Sequence, residues 1–133
     1  MFLILFFILF LFLRLIYVII QQNYGRSADM INRLKRDLLL IYPNIHSLKI
    51  ISGRENFTKN KKEIYLSLTD VNGRFYNYNS LIYIAIHELA HIICPEYGHT
   101  YSFYRIHKGL LEDAIKKGVY NPRLPSHHNI CII

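Results

Sequence analysis

Residues 81–93 read Leu-Ile-Tyr-Ile-Ala-Ile-His-Glu-Leu-Ala-His-Ile-Ile, and His87-Glu88-Leu89-Ala90-His91 is the part that decides the fold. Apart from Tyr83, three ionisable side chains stand in an otherwise apolar run. On a helix of 3.6 residues per turn, His87 and His91 lie one above the other on one face. Both imidazoles can reach a single metal ion, while Glu88, about 100° round the helix, can reach a water bound to that ion. A lone histidine on an apolar helix is ordinarily a hydrogen-bonded core residue. Two at ligand spacing, with a glutamate beside the first, point to a metal site.

The next residues supply a third ligand. Pro95 ends the helix, Gly98 permits a tight turn, and His99 returns towards the metal just before a new helix. Three protein ligands with one open position are the pattern of a catalytic zinc, whereas four close a structural site. A metzincin needs Gly and His three and six residues after His91, and those places hold Cys94 and Tyr97. It also needs a downstream Met-turn, and the methionines are Met1 and Met30. A gluzincin takes its third ligand from a glutamate on the next helix, and Glu112, 21 residues after His91, is the alternative to His99. No serine or cysteine nucleophile is needed: zinc lowers the pKa of its water towards about 7, and Glu88 acts as general acid/base in attack on a carbonyl. Tyr101, Tyr104 and His107 follow the third ligand and can donate to an oxyanion. Packing of a helix over residues 101–117 is the expected role of each. Cys94 reads as a small buried residue.

HELAH, then Gly98-His99 with an aromatic at Phe103, then Leu110-Leu111-Glu112-Asp113-Ala114-Ile115 and Gly118-Val119-Tyr120, resembles the WLM zinc metallopeptidases. The related SprT-like (Spartan) proteases share the HExxH and Gly-His-x-x-x-Phe logic, and the compact anchored form resembles versions from large DNA viruses. The likeness covers about residues 45–123 and is most specific over 81–120. It implies zinc held by His87, His91 and His99, with Glu88 as the catalytic acid/base. It implies peptide-bond hydrolysis, in relatives often of proteins crosslinked to DNA. The expected fold class is α+β: a compact zincin-like domain whose small antiparallel-containing sheet packs on the HExxH helix, preceded by one N-terminal transmembrane helix.

Residues 1–20 contain 17 Leu, Ile, Phe or Val, with only Met1, Arg14 and Tyr17 besides. Twenty helical residues span about 30 Å, the hydrocarbon thickness of a bilayer. Seventeen such residues favour insertion by roughly 5–10 kcal/mol, against about 2.5–3.5 for a central arginine. Arg14 also lies near one end and can snorkel. A cleavable signal peptide would want a basic n-region and a small-residue cleavage site, so an uncleaved anchor is expected. Arg26, Arg33, Lys35 and Arg36 follow the segment and no Lys or Arg precedes Arg14. The positive-inside rule then places the domain in the cytosol, where its cysteines stay reduced.

The organisation expected is an anchor over 1–20, a linker over 21–26, a metallopeptidase domain over 27–121 and a tail over 122–133. Ser27 reads as the N-cap of a helix over 28–41 with Met30, Ile31, Leu34, Leu38 and Ile41 as its apolar stripe. Residues 45–51 read as a strand, 54–62 as a polar loop and 63–68 as a second strand. Asn72-Gly73 is a turn leading to an extended Arg74-Phe75-Tyr76, and Asn79 or Ser80 caps the motif helix. In the tail, His127-His128 reads as incidental, and Ile130-Cys131-Ile132-Ile133 has the apolar pattern of a SUMO-interacting strand, though docking on the core explains it equally.

The chain has 133 residues and a formal charge of +7. A basic balance suits anionic lipid or nucleic acid, and the Lys59, Lys61, Lys62 cluster is where such a partner would touch. A solvated basic loop explains the same residues. Two cysteines cannot build a disulfide framework. The expected partners are a protein or peptide substrate and, through residues 1–20, a membrane. The alternative function is a non-catalytic, metal-stabilised binding module tethered to a membrane. Glu88 separates the two, because a structural metal site has no use for a general base beside its ligands.

Overall fold

The computed structural model describes residues 1–45 and 47–125, so the tail readings at His127-His128 and residues 130–133 lie outside the described residues. His46, inside the strand expected over 45–51, lies outside them too. The described chain has three α-helices and a three-stranded mixed sheet, an α+β arrangement. It separates into two compact units, Met1–Met30 and Ile31–Ile133.

Helix α1 runs Phe2–Ile41. Residues 21–26, expected as a linker, are helical, and Ser27 is interior to α1. One glycine costs a helix only about 1 kcal/mol relative to alanine, too little to break it at Gly25. The first unit contains the apolar part of α1, whose most apolar window has a mean hydropathy of 3.0 with none of it buried. This is one helix long and apolar enough to cross a membrane.

In the second unit, Leu34, Leu38 and Ile41 are buried at i, i+4 and i+7, the stripe expected for that half of α1. Asp37 on the same turn is also buried and accepts a short hydrogen bond from the Tyr78 hydroxyl. The Arg33 guanidinium lies 3.5 Å above the Tyr78 ring. Burial and the Asp37 carboxylate together push the Tyr78 phenol pKa well up, so it stays the donor.

The strands are β1 (Lys49–Ser52), β2 (Phe57–Lys59) and β3 (Glu63–Leu66), in the order β1-β3-β2. β1 pairs parallel to β3, with Ile50 opposite Ile64, and β2 pairs antiparallel to β3, with Thr58 opposite Ile64. β2 falls inside the stretch expected to be a loop. Three residues are too few for a two-fold hydrophobic pattern to be visible, and β2 is held by its partner: Phe57 stacks on Tyr65 with centroids 4.5 Å apart. The β2–β3 connection places Asn60 and Lys61 at φ +52° and +51°. Positive φ at both central residues is what a type I′ hairpin turn requires. Asn72-Gly73 does turn, with Asp70 Oδ1 accepting from the Asn72 and Arg74 amides, but the segment after it makes only the single bridge Thr69–Phe75.

Helix α2 (Tyr78–Ile93) starts at Asn77, two residues before the expected cap, where the side chain accepts from the Ser80 amide. Its residues 80–90 are buried apart from Tyr83. Helix α3 (Tyr101–Lys116) is capped by Thr100 and buries Phe103, His107, Leu110 and Ala114 along one face. Gly118, at φ +69°, ends it: the Gly118 amide donates to Ile115 and the Val119 amide to Ala114, a Schellman closure. Asn79 and Asn121 then exchange two side-chain-to-backbone hydrogen bonds of 2.9 Å, joining the residues after α3 to the first turn of α2.

Candidate metal centre

His87 and His91 sit one turn apart on α2, and His99 comes from the loop between α2 and α3. The His99 Nε2 lies 3.0 Å from that of His87 and 3.2 Å from that of His91. One ring nitrogen from each of the three falls within 4.8 Å of the others. Two imidazole nitrogens bound tetrahedrally at zinc distances are about 3.3 Å apart, so the cluster is already near the span an ion requires. Gly98, at φ +82°, makes the turn that brings His99 back.

Phe103 is the wall behind the cluster. It is wholly buried, stacks on His91 with centroids 4.3 Å apart, and meets the edges of the His87 and His99 rings at 4.9 Å. An apolar wall fixes ring orientation and removes water, which favours the neutral form of His87 and His91. Burial is the main cause for His87, whose pKa falls to about 3, with further lowering from His107, His91 and His99. Burial likewise takes His91 to about 4, helped by His99, Lys61 and His107. Neutral imidazole is the form that binds metal.

Glu88 is fully buried next to the cluster. Its Oε2 accepts a 2.8 Å hydrogen bond from the Thr58 hydroxyl on β2, which also lies 3.0 Å from the Glu88 carbonyl oxygen. Thr58 thereby holds the carboxylate of the residue that follows His87 on α2. The alternative ligand Glu112 is exposed on α3 and is not among the clustered groups. Tyr101 and Tyr104 were expected in the core, but they are exposed because they lie off the stripe formed by Phe103, His107, Leu110 and Ala114. His107 is in the core as expected, edge-on to Tyr83 and 5.2 Å from the His87 ring, and burial takes its pKa to about 4. Cys94 is a fully buried thiol at the C-cap of α2.

Two residues that touch this centre carried no signal along the chain. Thr58 and Lys61 both lie in the stretch read as a solvated basic loop, and each reaches α2 at a partner 30 positions later. The one local hint was Asn60, a residue type that tolerates the left-handed turn conformation.

The chain is 42% identical over 128 residues to uncharacterized protein 042R of Invertebrate iridescent virus 3, spanning 82% of this chain and 80% of that protein. It belongs to that viral protein family. Uncharacterized protein 136R of Invertebrate iridescent virus 6 is 33% identical over 133 residues, spanning 83% of this chain and 75% of its own length. Uncharacterized protein R325 of Acanthamoeba polyphaga mimivirus is 37% identical over 91 residues, 67% of this chain and 43% of that protein. No protein-family model and no solved structure matches the chain.

Proposed function

We propose that this protein is a membrane-anchored, zinc-dependent metallopeptidase with a zincin-like domain. The observation that carries the reading is the convergence of three imidazoles, with the fully buried Glu88 next to His87 on α2. Three nitrogen donors suit zinc and leave a coordination position open, which is the arrangement of catalytic rather than structural sites. Zinc held there supplies Lewis acidity and lowers the pKa of bound water towards about 7.

The rest is done by the chain. His87, His91 and His99 hold the ion, and Phe103 keeps their rings oriented and dry. Glu88 takes the proton from the attacking water and returns it to the leaving amine. Thr58 fixes the Glu88 carboxylate through a hydrogen bond from its hydroxyl to Oε2. An extended substrate fits best against a sheet edge, and β2 is the edge strand that touches Glu88. The apolar part of α1 anchors the protein as a single-pass span. Arg26, Arg33, Lys35 and Arg36 place the domain on the cytosolic side. The WLM likeness extends the substrate class to proteins crosslinked to DNA.

The test uses the full chain in detergent micelles, loaded with zinc and incubated with an unfolded protein substrate, with and without single-stranded DNA. Wild type should cleave and hold one zinc. Glu88→Gln should hold zinc equally and lose about 10²–10⁴-fold in rate, the usual worth of a general acid/base. A Glu88→Gln variant that cleaves like wild type would sink the mechanism.

A further inference from the structure

Outside the ligands themselves, Lys61 makes several polar contacts near the centre. Its ammonium reaches the carbonyl oxygens of His91 (2.9 Å), Cys94 and Glu96 (3.4 Å). It also sits 4.8 Å from the Tyr97 ring centroid. An ammonium has three N–H donors, and here three carbonyls face it. The last carbonyls of a helix have no intrahelical partner and carry the negative end of its dipole, so a cation at the end of α2 is favoured twice over.

What those carbonyls belong to is the point. His91 is a metal ligand, and residues 94 to 98 are the loop that delivers His99. The far end of that loop is fixed by α3, where the Ser102 hydroxyl donates to Glu96 Oε1 at 3.0 Å and Thr100 caps the helix. The near end is held by Lys61. Its position is also conformationally demanding: φ of +51° is uncommon for a lysine, and glycine would take the same turn position without a steric penalty.

We propose that Lys61, from the tip of the β2–β3 hairpin, is a positioning residue for the metal centre, fixing the loop between His91 and His99 so that the third ligand meets the other two. This rests on the reading of His87, His91 and His99 as metal ligands. Lys61 does not touch the ion; it sets the loop. Thr58, three residues earlier, holds Glu88, three residues before His91, so one hairpin braces both the base and the ligand loop.

Zinc affinity of the full chain in detergent micelles, measured by competition with a chromophoric chelator, tests this without any substrate. Lys61→Met should bind zinc about 10–100-fold more weakly, the usual cost of losing a group that orients a ligand. Lys61→Gly should weaken zinc similarly although glycine suits the turn, and it carries the test if Lys61→Met fails to fold by circular dichroism. In a His99→Ala background, removing Lys61 should cause no further loss, because the ligand it positions is gone. The proposal is overturned if Lys61→Gly binds zinc like wild type, or if Lys61 removal costs as much with His99 absent as with it present. Wild-type protein that binds no zinc in the same titration overturns the metal reading and this one together.

Discussion

Residues 2–20 of α1 and residues 81–90 of α2 are built from much the same aliphatic side chains, yet their surroundings are opposite. Leu3, Phe6 and Leu9 are each more than half exposed, whereas Ile82, Ile86 and Leu89 have no exposed surface. Polar residues account for the contrast. In the first stretch Arg14 stands alone near one end, and nothing in the unit asks for a protein neighbour. In the second, His87 and Glu88 must be satisfied inside, so sheet and helix have to be packed round them. Hydrophobicity alone therefore assigns neither helix its solvent. Lipid suits the first, and protein has been built to suit the second.

The comparison can be broken by treating the two helices alike. Leu89→Ala should lower the unfolding free energy of the domain by about 2–5 kcal/mol, the range for a buried leucine. Leu9→Ala should leave the same melting transition where it is. If both variants melt like wild type, the burial of α2 is wrong. Next in size, Leu9→Arg should cost about 2.5–3.5 kcal/mol of membrane insertion while the domain's zinc binding is unchanged. Flotation with liposomes reads the first effect and chelator competition the second. Co-sedimentation undiminished by Leu9→Arg would remove the anchor.

Smaller effects sharpen the picture. Asn77→Ala should destabilise the domain by about 1 kcal/mol through loss of the α2 cap, measurable by urea unfolding. The pH effect is smallest near neutrality. His87, His91 and His107 have folded-state pKa values lowered to about 3, 4 and 4. The unfolded chain thus takes up protons first as pH falls below the ordinary histidine value of about 6.5. Metal-free stability is complete above that value and is lost progressively as pH drops towards 4 and 3. A metal-free melting temperature that stays flat from pH 7 to 4 would contradict it.

Ligands and supports differ in how far they could be read from residue order. His87, Glu88 and His91 are legible because helical spacing converts linear order directly into a shared neighbourhood. His99 was legible because Pro95 and Gly98 mark a return of the chain. Glu112, the alternative, lies on the exposed face of α3 and outside the histidine group. Thr58 and Lys61 were hidden, since a three-residue strand has no period and hairpin register depends on its partner. The break expected at residues 21–26 is absent from α1, because polar residues on an exposed helix need no linker. Tyr101 and Tyr104, expected to pack in the core, lie outside it because of their angular position on α3.

Cys94 has a use of its own. Its thiol is fully buried at the C-cap of α2, where the loop that carries His99 begins, so an alkylating reagent can reach it only when that stretch of chain opens. In a Cys131→Ser background the alkylation rate becomes a stopwatch for opening of the ligand loop alone. Added zinc should slow that stopwatch, and Lys61→Gly should speed it, long before either changes the global melting temperature.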